Sequence, residues 1–399
     1  MKPKKFFRAL SCGLAAITLT ASFAGCSQSK SDAYLIGSSG PLTGAAAKYG
    51  IAVQRAAQLA VEEINASLGE GETKYSFKIY DDKAATKDVP NNFARLYEED
   101  GMQMSLGAVT TGSCIEYKKY ATDAGVFCLA PSATGDDVTK NADNMLQMCF
   151  SDSNQGVVTV DWMVGDGNIP KDTKIGIFYC SNDAYSTGIY NKFKERVAEE
   201  GYEITAEASF NNDADGNPPS DFSSQVQTLK NCKFIFMPIY YTPAATFMTA
   251  AQKVSEIGND VLFIGCDGFD GIDSMDMFDV NTIKQEISML SHFDVKATSG
   301  KTAEFVKNYK KKYNGETPIQ FGASAYDCVY ALKGAIDKAK ADGKEVPANI
   351  SAKDLNKILQ EVFLNGYEFS GVTGSNIKWN KDGTVNKKAE KVIIKVASK

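Results

Sequence analysis

Residues 105–134 read SLGAVTTGSCIEYKKYATDAGVFCLAPSAT, and they contain two strand patterns with one helix pattern between them. The runs 105–109 and 126–130 are apolar and have the length of buried strands, whereas 113–123 has helical spacing. Small polar residues follow each apolar run at once. This order predicts two parallel strands joined by a crossover helix, with polar groups at the carboxyl ends of both strands.

The same alternation of strand and helix patterns continues along most of the chain. It begins with strand patterns at 34–36 and 77–80, and it starts again after residue 145. Helical patterns at 301–313, 323–341 and 351–362 come late and exceed what a second α/β half needs, so we expect some of them to complete the first half. The pattern predicts an α/β fold with two doubly wound parallel-sheet lobes.

The composition excludes several classes of function. Of 399 residues, 43 are Lys or Arg and 49 are Asp or Glu, which gives a net charge of −6 and no basic run, so nucleic acid is not an expected partner. The chain has one histidine, His292, which we interpret as structural. The sequence contains no GxSxG, GxxxxGK[ST] or GxGxxG motif. We therefore expect neither an enzyme, nor a cofactor, nor a metal site.

The N-terminus has the pattern of an export signal. Residues 1–25 combine four basic residues with an uncharged apolar stretch at 9–23, which is too short to span a bilayer. The following Ala24-Gly25-Cys26 resembles the lipoprotein box of bacteria, in which the cysteine is diacylated. This predicts a lipoprotein signal peptide at 1–25, a tether at 26–32 and an extracytoplasmic chain anchored through Cys26. The alternative is an ordinary signal peptide with Cys26 incidental.

Seven cysteines follow Cys26, an odd number without any CxxC pair, and most of them lie in apolar runs. We expect buried free thiols that act as small core residues.

Three strand ends carry polar groups. Thr110-Thr111-Gly112-Ser113 opens a helix, where N–H groups and hydroxyls bind anions, although plain capping by Thr111 or Ser113 is the alternative. Residues 131–135 are again small and polar. Asp267 follows the last strand of the second half, where a turn-forming Asp-Gly is the alternative. Together these ends predict a site for a carboxylate on one lobe and an ammonium on the other, the two groups of a free amino acid.

Tyrosines follow other strand ends: Tyr49, Tyr185 and the pair Tyr240-Tyr241. Each one alone fits a core or interface position as well as a ligand wall. Their shared position at strand ends favours a ligand cleft.

The chain resembles the branched-chain amino acid-binding proteins of bacterial ABC transporters, which have the type I periplasmic binding fold. The matching segments run in the family's order over nearly the whole mature chain: GPLTG at 40–44, LAVEEIN at 59–65, PSAT at 131–134, Asp152 with Gln155-Gly156, YSTG at 185–188, YYTPA at 240–244, GCDGFD at 265–270, AYD at 325–327 and GVTG at 371–374.

The resemblance implies a ligand-binding role for individual residues. Thr111 matches the hydroxyl that holds the ligand carboxylate, and the segment Ser132-Ala133-Thr134 matches the position that grips carboxylate and ammonium. Asp267 matches the acidic partner of the ammonium. The aromatic contacts match Tyr49 in the first lobe and, in the second lobe, Tyr185 and Tyr240, with Tyr241 as the alternative to Tyr240.

The resemblance also implies three hinge strands between the lobes. We expect an N-terminal lobe at 33–148 plus 293–366 and a C-terminal lobe at 149–292 plus 367–399. The expected function is capture of a free amino acid, branched-chain or related, and its delivery as a monomer to an ABC permease at the membrane. The alternatives are binding of an amide, urea or an aromatic acid, and a ligand-sensing lipoprotein.

Overall fold

Strands and helices alternate along residues 33–398, the part of the chain that the computed structural model describes. The predicted signal peptide, the tether and the lipidation site Cys26 lie outside the described residues. No helix within the described range is long and apolar enough to cross a bilayer.

In the described part of the chain, the first sheet is parallel with the order β2-β1-β3-β4-β5. The order reverses at β1, which leaves a crevice beyond the carboxyl ends of β1 and β3, the usual place for a ligand. The elements of this half are β1 (Ala33–Gly40), α1 (Ala47–Ser67), β2 (Lys74–Asp81), α2 (Val89–Ala94), β3 (Met104–Ala108), α3 (Thr111–Ala124), β4 (Phe127–Ala130) and β5 (Met145–Gln147).

One boundary prediction in this sheet was wrong. The strand pattern ends at residue 36, and the Gly-Ser-Ser-Gly of residues 37–40 is typical of a loop, yet these residues continue β1. The two serines can occupy a buried strand because their hydroxyls are paired: Ser38 Oγ donates to Gly107 O at 3.0 Å, and Ser39 Oγ donates to Asp82 Oδ2 at 2.8 Å.

Within residues 33–398, the second sheet has the order β13-β10-β9-β8-β6-β7, and β13 is its one antiparallel member. The sequence patterns did not predict β13, which pairs with β10 and is fixed to it by an ion pair between Lys391 Nζ and Glu286 Oε1 at 2.8 Å. The elements are α4 (Asp152–Val164), β6 (Ile175–Cys180), α5 (Ala184–Glu199), β7 (Ile204–Phe210), α6 (Ser223–Leu229), β8 (Phe234–Met237), α7 (Tyr241–Ala251), β9 (Leu262–Gly265), β10 (Glu286–Ser291) and β13 (Glu390–Lys395).

Helix α4 begins after a serine cap. Ser151 is the N-cap residue, and its hydroxyl accepts a hydrogen bond from Asn154 N at 3.3 Å. Asp152 is thereby the first helical residue, and its carboxylate is left for other contacts.

The late helices return to the half of the fold that contains the first sheet. They are α8 (Gly300–Lys312), α9 (Gln320–Ala341) and α10 (Ala352–Leu364), and the short strands β11 (Glu368–Phe369) and β12 (Ile377–Lys378) follow them. Helix α9 lies along α1, and α10 packs against β3 and β4. The buried face of α9 repeats at helical spacing through Ala325, Val329, Leu332 and Ile336, which explains why it covers a sheet.

The chain therefore passes between the two sheets three times: after β5, after β10 and before β13. We call the first sheet with α1–α3 and α8–α10 the first lobe, and the second sheet with α4–α7 the second lobe. His292 lies on the second passage, where its Nε2 is 2.8 Å from the hydroxyl of Ser324 and its ring packs edge-on against Phe150. Burial holds the pKa of His292 well below its usual value, which fits a neutral structural side chain.

The seven cysteines of the described chain are all buried free thiols, as predicted. Burial raises the pKa of all seven thiols, for instance that of Cys114 to about 12, so thiolate chemistry is suppressed.

Candidate functional site

The start of α3 is the first component of the site. Thr110 is the N-cap residue in extended conformation, but neither it nor Ser113 caps the helix, because both hydroxyl oxygens are buried and have no hydrogen-bond partner within residues 33–398. The predicted alternative of capping by Thr111 or Ser113 is wrong, because both residues lie inside α3. Thr111 Oγ1 accepts a hydrogen bond from Gly135 N at 3.2 Å, so its hydroxyl proton is left for another acceptor. An N-terminus with free N–H groups and free hydroxyls favours an anion.

The loop after β4 lies beside this helix start. Ser132 Oγ donates to Val109 O at 2.7 Å, which joins the two strand ends and leaves lone pairs on the serine oxygen for an incoming donor. Ala133 is fully buried, and its carbonyl accepts from Gln147 Nε2 at 2.8 Å. The hydroxyl oxygen of Thr134 is buried without a partner in the described chain.

Asp267 is the charged component, and it comes from the second lobe. It follows β9, is 1% exposed, and its Oδ1 accepts a hydrogen bond from the hydroxyl of Tyr185 at 2.8 Å. Gly268 N donates to the same tyrosine oxygen at 2.9 Å, so two hydrogen bonds hold the Tyr185 hydroxyl in place. Burial raises the pKa of Asp267 to about 7, and the hydrogen bond from Tyr185 opposes that shift.

No basic side chain of residues 33–398 forms an ion pair with Asp267. Removal of a carboxylate from water without a countercharge is costly, and a bound cation would recover part of that cost. The turn-forming alternative does not explain such a buried, uncompensated charge. The arrangement therefore favours an ammonium group as the missing partner.

Gln155 supports Asp267, although the sequence analysis did not count it as a site residue. Its Oε1 accepts a hydrogen bond from Asp267 N at 2.9 Å, and its Nε2 lies 3.4 Å from Asp152 Oδ1. The other oxygen of Asp152 is buried, and burial raises the pKa of this carboxyl well above its usual value, a shift that the nearby hydroxyl of Thr134 opposes. A second carboxylate thus lies one side chain away from the first.

Aromatic side chains from both lobes enclose the gap. Tyr49 of α1 donates its hydroxyl to Gly268 O and accepts from Tyr241 N at 3.3 Å, so it bridges the lobes directly. Its ring packs edge-on against Tyr240 at 5.4 Å and against Phe321 of α9 at 4.8 Å. Phe321 was not predicted, because it comes from a late helix whose return to the first lobe brings it here.

One cavity joins these groups. Its volume is about 10 Å³, and six predicted residues line it: Tyr49, Thr111, Ser132, Tyr185, Tyr240 and Asp267. Thr110, Phe321 and Gly268 line it as well. Ala133 and Thr134 belong to the adjoining loop and are not among the lining residues. The unpaired hydroxyl of Thr110 could have been suspected from its place next to Thr111, whereas nothing local in the sequence indicates Phe321.

A larger open crevice of about 550 Å³ lies between α1, α8 and α9. Its main carboxylate, Glu63, already accepts hydrogen bonds from Asn308 at 2.9 Å and from the hydroxyls of Tyr326 and Tyr330. The unpaired groups described above lie elsewhere, at the strand ends. We therefore assign the candidate site to the small cavity between the lobes.

Comparisons with known proteins agree with this architecture. A model of the periplasmic binding protein family, whose members are extracytoplasmic, matches residues 34–390. The chain is 28% identical over 236 residues to Leu/Ile/Val-binding protein homolog 3 of Brucella melitensis, a match that covers 58% of this chain and 61% of that protein. It is also 28% identical to Leu/Ile/Val-binding protein BraC3 of Rhizobium johnstonii, over 79% of this chain and 85% of that protein.

Among solved structures, the branched-chain amino acid transporter substrate binding protein of Streptococcus pneumoniae in complex with isoleucine superimposes with a TM-score of 0.72. It shares 27% identity, and the match covers 90% of this chain and 99% of that one. A family match over most of the described residues, a two-lobed α/β architecture and a site between the lobes lead to one conclusion: the chain belongs to the periplasmic binding protein family.

Proposed function

We propose that the protein captures a free amino acid between its two lobes and delivers it to an ABC permease. One observation carries the proposal: the buried carboxylate of Asp267, which has no basic partner in the described chain, shares a single cavity with Thr110 and Thr111 at the start of α3. A zwitterion supplies the opposite charge at each end. The amino acid ligands named for the relatives support this reading.

The ligand carboxylate would lie at the start of α3. There, the Thr110 and Thr111 hydroxyls and the first N–H groups of the helix offer donors, and the helix dipole favours negative charge. The ammonium would lie between Asp267 and the oxygen of Ser132, which both offer acceptors. Charge-assisted hydrogen bonds of this kind contribute about 1.5–3 kcal/mol each.

Ligand-driven closure of the lobes follows because the two charged ends of the ligand bind to different lobes. The anion-binding groups belong to the first lobe and Asp267 to the second, so only the closed form offers both to one ligand. A ligand shifts the open–closed equilibrium by its difference in affinity for the two forms. We take the three passages between the sheets as the hinge, with the lobes divided at residues 148 and 292 and again at 366.

The uncompensated charge of Asp267 also weighs against the alternatives. Urea and neutral amides offer no full positive charge, and an aromatic acid without an amino group would bring a second negative charge into the cavity. We further propose a lipid anchor at Cys26 and action as a monomer beside a membrane permease. The lipoprotein box of the sequence and the transporter context of the relatives support these two points.

Isothermal titration calorimetry of the mature protein against the twenty amino acids tests the function. We expect at least one ligand with a micromolar or lower dissociation constant, because two charge-assisted ends meet in a buried site. Urea, acetamide and benzoate serve as probes of the alternative classes. Binding of one of these three, with no heat from any amino acid, would overturn the proposal.

A further inference from the structure

The cavity between the lobes is narrower than its proposed ligand needs. A volume of about 10 Å³ is roughly the room for one water molecule. Aromatic rings occupy the space where a ligand side chain would extend, and four of them line the cavity: Tyr49, Tyr185, Tyr240 and Phe321. The size of the side chain that fits thus depends on which of these rings can move.

Three of the four rings are fixed. The Tyr49 hydroxyl binds Gly268 O and Tyr241 N, and the Tyr185 hydroxyl binds Asp267 and Gly268 N. Phe321 is 4% exposed and packs edge-on against Tyr49. Displacement of any of them would break buried hydrogen bonds or open a void in the core, and both are costly.

Tyr240 differs from the other three. Its hydroxyl is buried and has no hydrogen-bond partner among residues 33–398. Its ring stacks on Tyr185, with 5.0 Å between the ring centroids, and meets Tyr49 edge-on at 5.4 Å. It is also the residue just before α7, in extended conformation, so its side chain is not part of a helical face. Rotation of the Tyr240 side chain therefore breaks no hydrogen bond and costs less free energy than displacement of any of the other three rings.

A second cavity lies on the other side of the same ring. It has a volume of about 30 Å³ and is lined by Ala46, Cys180, Phe210, Ile239 and Pro243, among others. Tyr185 and Tyr240 line both cavities, so the stacked pair forms the wall between them. Because Tyr185 is fixed by Asp267, Tyr240 is the part of the wall that can be displaced.

We infer that Tyr240 sets an upper size limit on the ligand side chain, so that the site takes compact amino acids of the glycine, alanine and serine class in preference to leucine, isoleucine or phenylalanine. A small shift of the lining rings admits a compact side chain, whereas a larger side chain enters only when Tyr240 turns toward the second cavity. The inference rests on the proposed function, and it goes further because it separates this chain from a relative that holds the bulky side chain of isoleucine.

Calorimetry with alanine, leucine and phenylalanine tests the inference on the wild-type protein and on Tyr240→Ala. We expect alanine to bind the wild type at least tenfold more tightly than leucine. In Tyr240→Ala, the two cavities merge, and the preference for alanine over leucine should fall at least tenfold. Tyr190→Ala is the matched control, because Tyr190 is a tyrosine of the second lobe that lines neither cavity.

Tyr240→Leu accompanies the alanine variant in case the larger deletion unfolds the chain, and it should lower the preference in the same direction. Leucine binding the wild type as tightly as alanine, with a preference unchanged in both variants, overturns the size limit and leaves the proposed function intact. Folded wild type and folded variants that bind no amino acid at all overturn the proposed function, and the size limit with it.

Discussion

The two strand edges that face each other across the cavity differ in how their polar groups are satisfied. On the first lobe, the hydroxyls of Thr110 and Ser113 are neutral and unpaired, and the helix start supplies only partial charge. On the second lobe, the carboxyl group of Asp267 lies in a hydrogen-bond network with Tyr185 and Gln155, and it takes a full negative charge when it ionises. The groups of the second edge are already held in place and need a positively charged partner, whereas the hydroxyls of the first edge are free to reorient. Most of the binding energy should therefore depend on the second edge.

The largest expected effect comes from Asp267→Asn, which removes the charge and keeps the shape. Amino acid affinity should fall about 100-fold, equivalent to about 2.7 kcal/mol, because a charge-assisted pair with the ammonium is lost. Calorimetry measures the loss. Asp172→Asn, an exposed carboxylate of the second lobe, is the control. Affinity within twofold of the wild type would reject the role of Asp267.

The raised pKa of Asp267 predicts a pH dependence. Its folded value of about 7 lies above the ordinary 3.8, so the folded protein without ligand retains a proton that the unfolded chain releases, and stability should decline as pH rises from about 4 to 7. An ammonium ligand favours the ionised form. Affinity should therefore rise with pH, by up to about tenfold per pH unit below 7, and level off above 7.

Calorimetry and thermal unfolding between pH 5 and 8 measure these two slopes. Asp270, whose pKa burial also raises to about 7, contributes to the stability slope, so Asp267→Asn provides the reference. The rise of affinity with pH should disappear in that variant. A rise of the same size in Asp267→Asn would assign the effect to another group.

On the adaptable edge, Thr111→Val should have a smaller effect. The variant keeps the volume of the side chain but removes the hydroxyl that accepts from Gly135 N. We expect about tenfold weaker binding, close to 1.4 kcal/mol, which is the scale of one hydrogen bond. Thr317→Val, at an exposed position of the first lobe, is the control. A loss as large as that of Asp267→Asn would contradict the contrast between the two edges.

The smallest expected effect concerns Tyr49, which contacts both lobes across the cavity. Tyr49→Phe removes the hydroxyl that binds Gly268 O and Tyr241 N across the gap. We expect about three- to fivefold weaker ligand binding, since closure loses two hydrogen bonds whose combined net contribution we put at about 1 kcal/mol. Small-angle scattering should show a more open protein without ligand. An unchanged radius of gyration together with unchanged affinity would show that this contact does not bias closure.

The sequence predicted the layers of the fold because apolar residues recur with clear strand and helix periods, and short connections separate the segments. It placed the polar residues that follow β3 and β4 at one edge of the first sheet, since carboxyl ends of parallel strands meet there, and Asp267 at the corresponding edge of the second sheet, after β9. The extension of β1 through residues 37–40 was missed because glycine and serine favour turns. The hydrogen bonds of the Ser38 and Ser39 hydroxyls make a buried strand possible here, and their partners are far away in the sequence.

The parts of the site that depend on long-range packing could not be predicted. Phe321 reaches the cavity because α9 returns to lie along α1, a contact between residues far apart in the chain. Gln155 was visible as part of a motif, but its position between Asp152 and Asp267 follows from the packing of α4 on the end of β9. Strand β13 was missed because the C-terminal segment has little apolar alternation of its own.

The direct bonds between the lobes have a consequence for transport. Besides Tyr49, the hydroxyl of Thr242 donates to Ala45 O at 2.6 Å, and Gln320 N donates to Asp270 Oδ2 at 2.8 Å. Protein groups thus supply part of the free energy that holds the lobes together, and a ligand need supply only the remainder. A permease can therefore tell loaded from empty protein by lobe closure alone only if the ligand's share is the larger one.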